Sequence, residues 1–259
     1  MTSTQGLPPV SPVEAIPTTE AEVVAAPHVT SHAMAHFPRR PFRGVLLTAC
    51  FALLLLLMSR WVDQPLTLAI EKHMSPVVNE IFDYIGYLGD SEMYLFAALF
   101  VYVVSLVGIR RGWVCPVRTG FERLARYGML VISSMAVGGL ITLILKKLVA
   151  RTRPEVLLED GWHGLVEPFT RGNDYSSFPS SHTLTAFAVA AAIGEIAPRW
   201  RAPALLLAAL VAISRVINRD HFLSDVTAAA AIGIMVAHYL APYVLDERHR
   251  WMLRKPWRK

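Results

Sequence analysis

The sequence predicts an all-α integral membrane protein with six transmembrane helices. The chain has 259 residues, of which 54% are hydrophobic and only 17% are charged, whereas soluble domains carry about a quarter charged residues. Six apolar runs, taken with their flanks, each reach the roughly 17–20 residues that a helix needs to span a hydrocarbon core of about 30 Å. These runs cover residues 45–58, 94–109, 128–145, 184–196, 202–213 and 226–244.

The distribution of positive charge predicts that both termini lie in the cytoplasm. With that orientation, 16 of the 25 Lys and Arg residues fall in cytoplasmic segments and 9 in outer segments, which is the bias expected of membrane proteins. The outer cations cluster around residues 146–153 and 215–219, against this bias. Their clustering indicates an anionic ligand at the outer face.

Both ends of the chain lie outside the predicted membrane domain, residues 44–245. Residues 1–43 are rich in Pro, Thr, Ala and Glu and have few aromatic residues, which is typical of a disordered cytoplasmic tail. Residues 246–259 are basic and contain Trp251 and Trp257, which favours an interfacial anchor on anionic lipid. The sequence has no Gly-rich phosphate loop and no Cys/His cluster with metal-ligand spacing, so we expect no metal, cofactor or nucleic-acid partner.

The third apolar run is followed by a basic segment, residues 146–154, with the sequence KKLVARTRP. Lys146 and Arg153 are seven residues apart, or two helical turns, which predicts that they share one face at the outer end of the third helix. Pro154 ends that helix nearby, because a residue before proline avoids the helical region. Cations that snorkel at the membrane interface are the alternative interpretation.

The fourth apolar run is preceded by FPSSHT, residues 178–183. Pro179 favours a helix start, and Ser180 or Ser181 is a suitable cap. The first N–H groups of such a helix bind anions readily, and His182 lies in its first turn. A capped helix with an incidental histidine is the alternative.

The turn between the fifth and sixth helices carries SRVINRDHFLSD, residues 214–225. His221 and Asp225 are four residues apart at the start of the sixth helix and therefore share a face. The carboxylate can accept the proton of one imidazole nitrogen and leave the other nitrogen to attack. A purely structural His–Asp cap is the alternative.

All three segments lie at outer helix ends, which favours one shared site. Three cations, a helix N-terminus, two histidines and a carboxylate suit a phosphoryl group. The cations and amides neutralise its oxygens, one histidine attacks and the other protonates the leaving oxygen. The cations are Lys146, Arg153 and Arg215.

These residues resemble the type-2 phosphatidic-acid phosphatase family of integral-membrane lipid phosphatases. The family pattern is Lys-x6-Arg-Pro, then Pro-Ser-Gly-His, then Ser-Arg-x5-His-x3-Asp, and all three spacings are met in order over about residues 60–245. Six helices with both termini inside also fit this family. One departure is Ser181, which stands where the family usually has glycine, adds a side chain to the anion cradle and disfavours left-handed backbone angles.

The resemblance implies a role for each matching residue. His221 is the nucleophile that forms a phosphohistidine, Asp225 orients it, and His182 is the general acid. The implied phosphate ligands are Lys146, Arg153, Ser180, Ser181 and Arg215, and no metal is needed because cationic side chains supply the charge. The implied partner is a phosphorylated lipid in the outer leaflet of a bacterial inner membrane, such as undecaprenyl diphosphate, phosphatidylglycerol phosphate, phosphatidic acid or lipid A, which places the site at the periplasmic face.

Other functions remain open at the level of sequence. A phosphotransferase would use the same phosphohistidine with another acceptor, and a lipid-binding relative without activity would follow if Ser181 spoiled the cradle. A transporter would place its polar groups nearer the bilayer midplane, in broken helices. The sequence further predicts that residues 155–177, including Trp162 and His163, roof the site, and that residues 61–93 form interfacial helices beside it. It leaves the oligomeric state open.

Overall fold

A computed structural model describes residues 41–114, 120–161 and 164–248. The predicted tails therefore lie almost entirely outside the described residues, as do Trp162 and His163. The chain divides into a unit of residues 1–44 and a unit of residues 45–259. The α-helices of the described residues are α1 (Pro41–Trp61), α2 (Asp63–His73), α3 (Pro76–Gly86), α4 (Ser91–Arg111), α5 (Gly120–Val149), α6 (Pro154–Asp160), α7 (Ser181–Ile196), α8 (Arg201–Ile217) and α9 (Leu223–Leu245).

The all-α class is confirmed, since the described residues contain helices and, outside them, only an isolated bridge between Arg151 and Leu165. Five helical segments are long and apolar enough to cross a membrane: Arg43–Trp61, Pro76–Arg111, Gly120–Val149, Pro198–Ile217 and Leu223–Leu245.

The fourth predicted span corresponds to α7, which is apolar but has only 16 residues. It begins directly after the cap residue Ser180 and ends before Pro198. At 1.5 Å per residue it is about 24 Å long, somewhat short of a hydrocarbon core of about 30 Å. The total of six spans and the orientation of the termini therefore stay predictions.

Helices α4, α5, α7, α8 and α9 pack together, and small residues allow their backbones to approach closely. A Cβ atom at Gly233 of α9 would lie 2.9 Å from the amide nitrogen of Ala188 in α7. A Cβ atom at Gly128 of α5 would lie 2.8 Å from the carbonyl oxygen of Ala98 in α4. Ala188 is completely buried, so α7 lies in the middle of this packing.

Large apolar side chains cover the outward faces of the long helices. Leu56 is 66% exposed, Phe96 69% and Leu206 69%. Soluble proteins rarely expose contiguous apolar surface of this kind. The exposed faces therefore fit helices whose surroundings are lipid.

The third predicted helix ends before it reaches Arg153, and this corrects one prediction about the site. Helix α5 ends at Val149, and Ala150 adopts a positive φ of 42°, so the chain leaves the helix axis there. Arg153 has an extended backbone and precedes α6. The prediction that Lys146 and Arg153 share a helix face is therefore wrong, because residues 150–153 pair instead with the loop that follows α6.

Candidate active site

The three polar segments meet at one end of the helix bundle. Lys146 lies in the last turn of α5 and Arg215 in the last turn of α8. His182 lies in the first turn of α7, and His221 lies two residues before α9. Because α5 and α8 run toward this end and α7 and α9 run away from it, chain direction alone brings these side chains to one level.

His221 is buried, with 3% of its surface exposed. Burial lowers the pKa of His221 well below its ordinary value of 6.5, and the charges of Lys146, Arg153 and His182 lower this pKa further, while the backbone of Ser177 raises it. The imidazole is therefore neutral near pH 7. The same effects show that the two cations and the second histidine lie close to His221.

Asp225 is completely buried, and its Oδ2 atom lies 3.9 Å from Nδ1 of His221. That separation is beyond hydrogen-bond distance. The carboxylate instead accepts hydrogen bonds from Nη1 of Arg151 at 2.6 Å, Oγ of Ser177 at 2.6 Å and the backbone N–H of Phe222 at 3.0 Å. The structure brings the predicted pair together, and the orienting role of Asp225 stays a prediction.

Arg151 is a site residue that the motif spacing does not mark. Its guanidinium is buried, with a side-chain exposure of 5%. It donates to Asp225, to Oδ2 of Asp63 at 2.8 Å and to Oγ of Ser224 at 2.6 Å, and it lies 4.3 Å from the centroid of the Phe222 ring. The sequence pointed to His221 as the partner of Asp225 and assigned no role to Arg151.

The loop that follows α6 holds the two cations of the first motif. Lys146 donates from Nζ to the carbonyl oxygen of Ser176. Arg153 donates to the carbonyl oxygen of Asn173 at 3.1 Å and to its Oδ1 atom at 3.0 Å. The described part of the predicted roof thus contacts the predicted phosphate ligands directly.

Helix α7 begins as the sequence predicted, with Ser180 as its N-cap. Ser180 is completely buried, and its Oγ accepts the N–H of Thr183 at 3.4 Å. Pro179 precedes the cap rather than occupying the first helical position. Ser181 is the first helical residue and is exposed, so the serine that replaces the usual glycine does not need a left-handed backbone here.

Arg215 is paired with acidic groups that the sequence did not assign to the site. Its Nη1 atom lies 3.1 Å from Oδ2 of Asp220, and its Nη2 atom lies 3.8 Å from Oδ1 of Asp83 in α3. Burial raises the pKa of Asp220, although Arg215, Arg153 and His182 oppose this effect. Asp220 therefore lies among the cations, where it partly neutralises the site.

His182 also has a carboxylate partner from outside the three motifs. Its Nε2 atom lies 3.0 Å from Oδ1 of Asp90, which directly precedes α4. Residues 61–93 thus form two helices, α2 and α3, and a short turn, and they place Asp63, Asp83 and Asp90 beside the site. Within the described residues, no group of three or more His, Cys, Asp or Glu side chains is arranged to hold a metal ion.

The fold and the site define a helical membrane protein with a cationic, histidine-containing site at one end of its bundle. The family profile described as PAP2 superfamily matches residues 127–249 of the chain, which include all three motif segments. The match confirms the resemblance that the three motifs predicted.

Individual relatives support the same grouping. The chain is 26% identical to a lipid A 1-phosphatase of Rhizobium johnstonii over 145 residues, which cover 56% of this chain and 59% of that protein. It is 25% identical to a lipid A 1-phosphatase of Rhizobium etli over 156 residues, which cover 60% of this chain and 67% of that protein. The chain thus spans about three fifths to two thirds of the length of these relatives.

Among solved structures, a transmembrane PAP2-type phosphatidylglycerolphosphate phosphatase from Bacillus subtilis has a similar fold. The TM-score is 0.57 at 22% identity, and the match covers 84% of this chain and 100% of that structure. This likeness concerns the fold. Together with the five long apolar helices, it describes a multi-pass membrane protein.

Proposed function

We propose that this chain is a membrane lipid phosphatase, which hydrolyses a phosphomonoester or diphosphate on a lipid through a phosphohistidine at His221. The observation that carries the proposal is that two histidines and three cations meet at one end of the bundle. Lys146, Arg153 and His182 all lie near enough to His221 to lower its pKa. The match to the PAP2 superfamily profile supports the same chemistry.

Phosphate binding uses the cations together with the start of α7. Arg215 is buried at the site, with 8% of its surface exposed. Lys146 and Arg153 donate to loop carbonyl groups and can exchange these bonds for shorter, charge-assisted bonds to phosphate oxygens. The backbone N–H groups of Ser181 and His182 add donors at the positive end of the helix dipole.

The reaction proceeds in two steps. Neutral His221 attacks phosphorus, the bond from phosphorus to the leaving oxygen breaks, and His182 gives that oxygen a proton. Water then attacks the phosphohistidine, His182 takes a proton from this water, and inorganic phosphate leaves His221. Both histidines return to their starting protonation states.

Lipid A phosphorylated at its 1-position is the first substrate to test, because the two curated relatives are lipid A 1-phosphatases. Undecaprenyl diphosphate, phosphatidylglycerol phosphate and phosphatidic acid present the same phosphate on a lipid and belong in the same panel. We further propose that the site faces the periplasm, since both termini are expected in the cytoplasm.

The test is phosphate release by the purified protein in detergent with EDTA, measured over this lipid panel. We expect His221→Ala to abolish release, and Lys146→Ala or Arg215→Ala to reduce kcat by about 10²–10³-fold, as for loss of one transition-state donor. Arg123→Ala is a matched control, since Arg123 lies at the opposite end of α5 in an exposed ion pair.

Full turnover by His221→Ala would show that the phosphohistidine mechanism is wrong. Loss of activity in EDTA would contradict a metal-independent site. Adding a lipid alcohol as acceptor separates hydrolysis from phosphoryl transfer, since a transferase would form the phosphorylated acceptor instead of inorganic phosphate.

A further inference from the structure

Residues 86–90, with the sequence Gly-Tyr-Leu-Gly-Asp, form a fourth segment of the site although they lie outside the three motifs. A Cβ atom at Gly86 would lie 1.5 Å from Nη2 of Arg215. A Cβ atom at Gly89 would lie 2.8 Å from Cβ of His182. Both glycines are buried, so each leaves the space that one site side chain occupies.

Asp90 occupies the N-cap of α4 but does not cap it. A carboxylate at this position commonly accepts a backbone N–H of the first helical turn, whereas the Asp90 side chain makes no cap hydrogen bond. It lies instead with Oδ1 3.0 Å from Nε2 of His182. The turn that presents it is held by the hydroxyl of Tyr94, which donates to the carbonyl oxygen of Leu88 at 2.6 Å.

We propose that Asp90 is a positioning residue for His182 in the phosphatase reaction, and this inference rests on the proposed function. Asp90 accepts the Nε2–H of His182 and thereby orients the ring and sets its tautomer. Nδ1 is then the nitrogen that gives its proton to the leaving oxygen as the bond to phosphorus breaks. In the second step, Nδ1 takes a proton from the attacking water, and Nε2 keeps its proton throughout.

The exposure of the pair argues against a mainly structural role. The Asp90 side chain is 46% exposed and the His182 side chain 38% exposed, and exposed ion pairs add little to stability. Arg215 and Asp220 are further charged groups that act on His182. Of the two carboxylates, it is Asp90 that hydrogen-bonds the ring, so it is the group that can select one nitrogen for proton transfer.

The test compares two substrates whose leaving groups differ in their need for a proton. A lipid phosphate releases an alkoxide-like oxygen that must be protonated, whereas p-nitrophenyl phosphate releases a phenolate that leaves without a proton. We compare kcat/KM, which covers the steps up to phosphohistidine formation and excludes the second proton transfer that both substrates share. We expect Asp90→Asn to lower kcat/KM on the lipid by at least about tenfold, up to the roughly 10²–10⁴-fold that a general acid supplies. Its kcat/KM on p-nitrophenyl phosphate should stay within about twofold of the wild type.

Glu92→Gln is the matched control, because Glu92 is an exposed carboxylate in the first turn of the same helix. It should leave both rates and the melting temperature unchanged. Asp90→Ser is a second variant, which keeps a residue suited to the N-cap and should show the same selective loss.

Equal loss of kcat/KM on both substrates, or no loss on the lipid, would overturn the role of Asp90 while leaving the phosphatase proposal intact. A wild-type protein that cleaved neither substrate would overturn the phosphatase proposal and the positioning role with it. A selective loss on the lipid alone supports both.

Discussion

At the scale of single residues, burial decides the protonation of His221. Desolvation and two nearby cations hold its pKa well below 6.5, so the imidazole is neutral at pH 7, as the proposed attack on phosphorus requires. The same shift affects stability, because the unfolded chain binds a proton near pH 6.5 that the folded chain does not bind.

The stability that His221 contributes should therefore be present above about pH 6.5 and be lost as the pH falls below it, by up to about 1.4 kcal/mol per pH unit. Thermal or denaturant unfolding in detergent at pH 7 and pH 5 measures this change. His221→Gln, which cannot take up a proton, should lose less stability over the same interval. An identical loss in the two proteins would mean that His221 is not held neutral by the fold.

At the scale of elements, α3 and the turn after it pack directly against Arg215 and His182. None of the predicted phosphate ligands lies in this segment. Gly86 has helical angles of φ −59° and ψ −34°, which any residue adopts. Glycine is needed at position 86 for space, because the guanidinium of Arg215 lies where the Cβ atom of any other residue would be.

Gly86→Ala should displace Arg215 and reduce kcat/KM on the lipid substrate, approaching the loss seen in Arg215→Ala, about 10²-fold or more. Gly139→Ala in α5 is the control, because a Cβ atom there meets nothing within 4 Å and alanine favours the helix. Steady-state kinetics and the melting temperature of both variants measure the effect. Wild-type kinetics in Gly86→Ala would contradict the close packing of Arg215.

At the scale of the whole molecule, the buried cluster around Arg151 joins elements that are distant in sequence. Asp63 begins α2, Arg151 follows α5, and Asp225 lies in the first turn of α9. One guanidinium lies between two buried carboxylates, at 2.8 Å and 2.6 Å. Removal of the cation leaves both carboxylates buried without their partner.

Arg151→Met should therefore destabilise the protein by about 3–5 kcal/mol, as expected when one member of a buried ion pair is removed. Arg123→Met is the matched control, because Arg123 and Glu247 form a pair whose side chains are 56% and 65% exposed, and its loss should cost less than about 1 kcal/mol. Unfolding midpoints in detergent compare the two variants. Similar unfolding midpoints for Arg151→Met and Arg123→Met would show that the buried cluster around Arg151 does not stabilise the protein.

The all-α class, most of the membrane helices and the three motif segments could be predicted from the sequence because each is a local property. Apolar run length predicts a helix, and the order of helix ends places Lys146, His182 and His221 at one level. The end of α5 was less predictable. Pro154 indicated a stop, but the pairing of residues 150–153 with a later loop ended the helix at Val149.

The sequence by itself determined the helical class and which residues supply the histidines and cations, since these depend on composition, spacing and chain direction. Only the tertiary structure decided which carboxylate serves which partner. Asp63, Asp83 and Asp90 carry no motif, and they reach Arg151, Arg215 and His182 across 88 to 132 residues of chain. Contacts of that kind depend on how α2 and α3 pack over the bundle, and no local pattern of side chains encodes that packing.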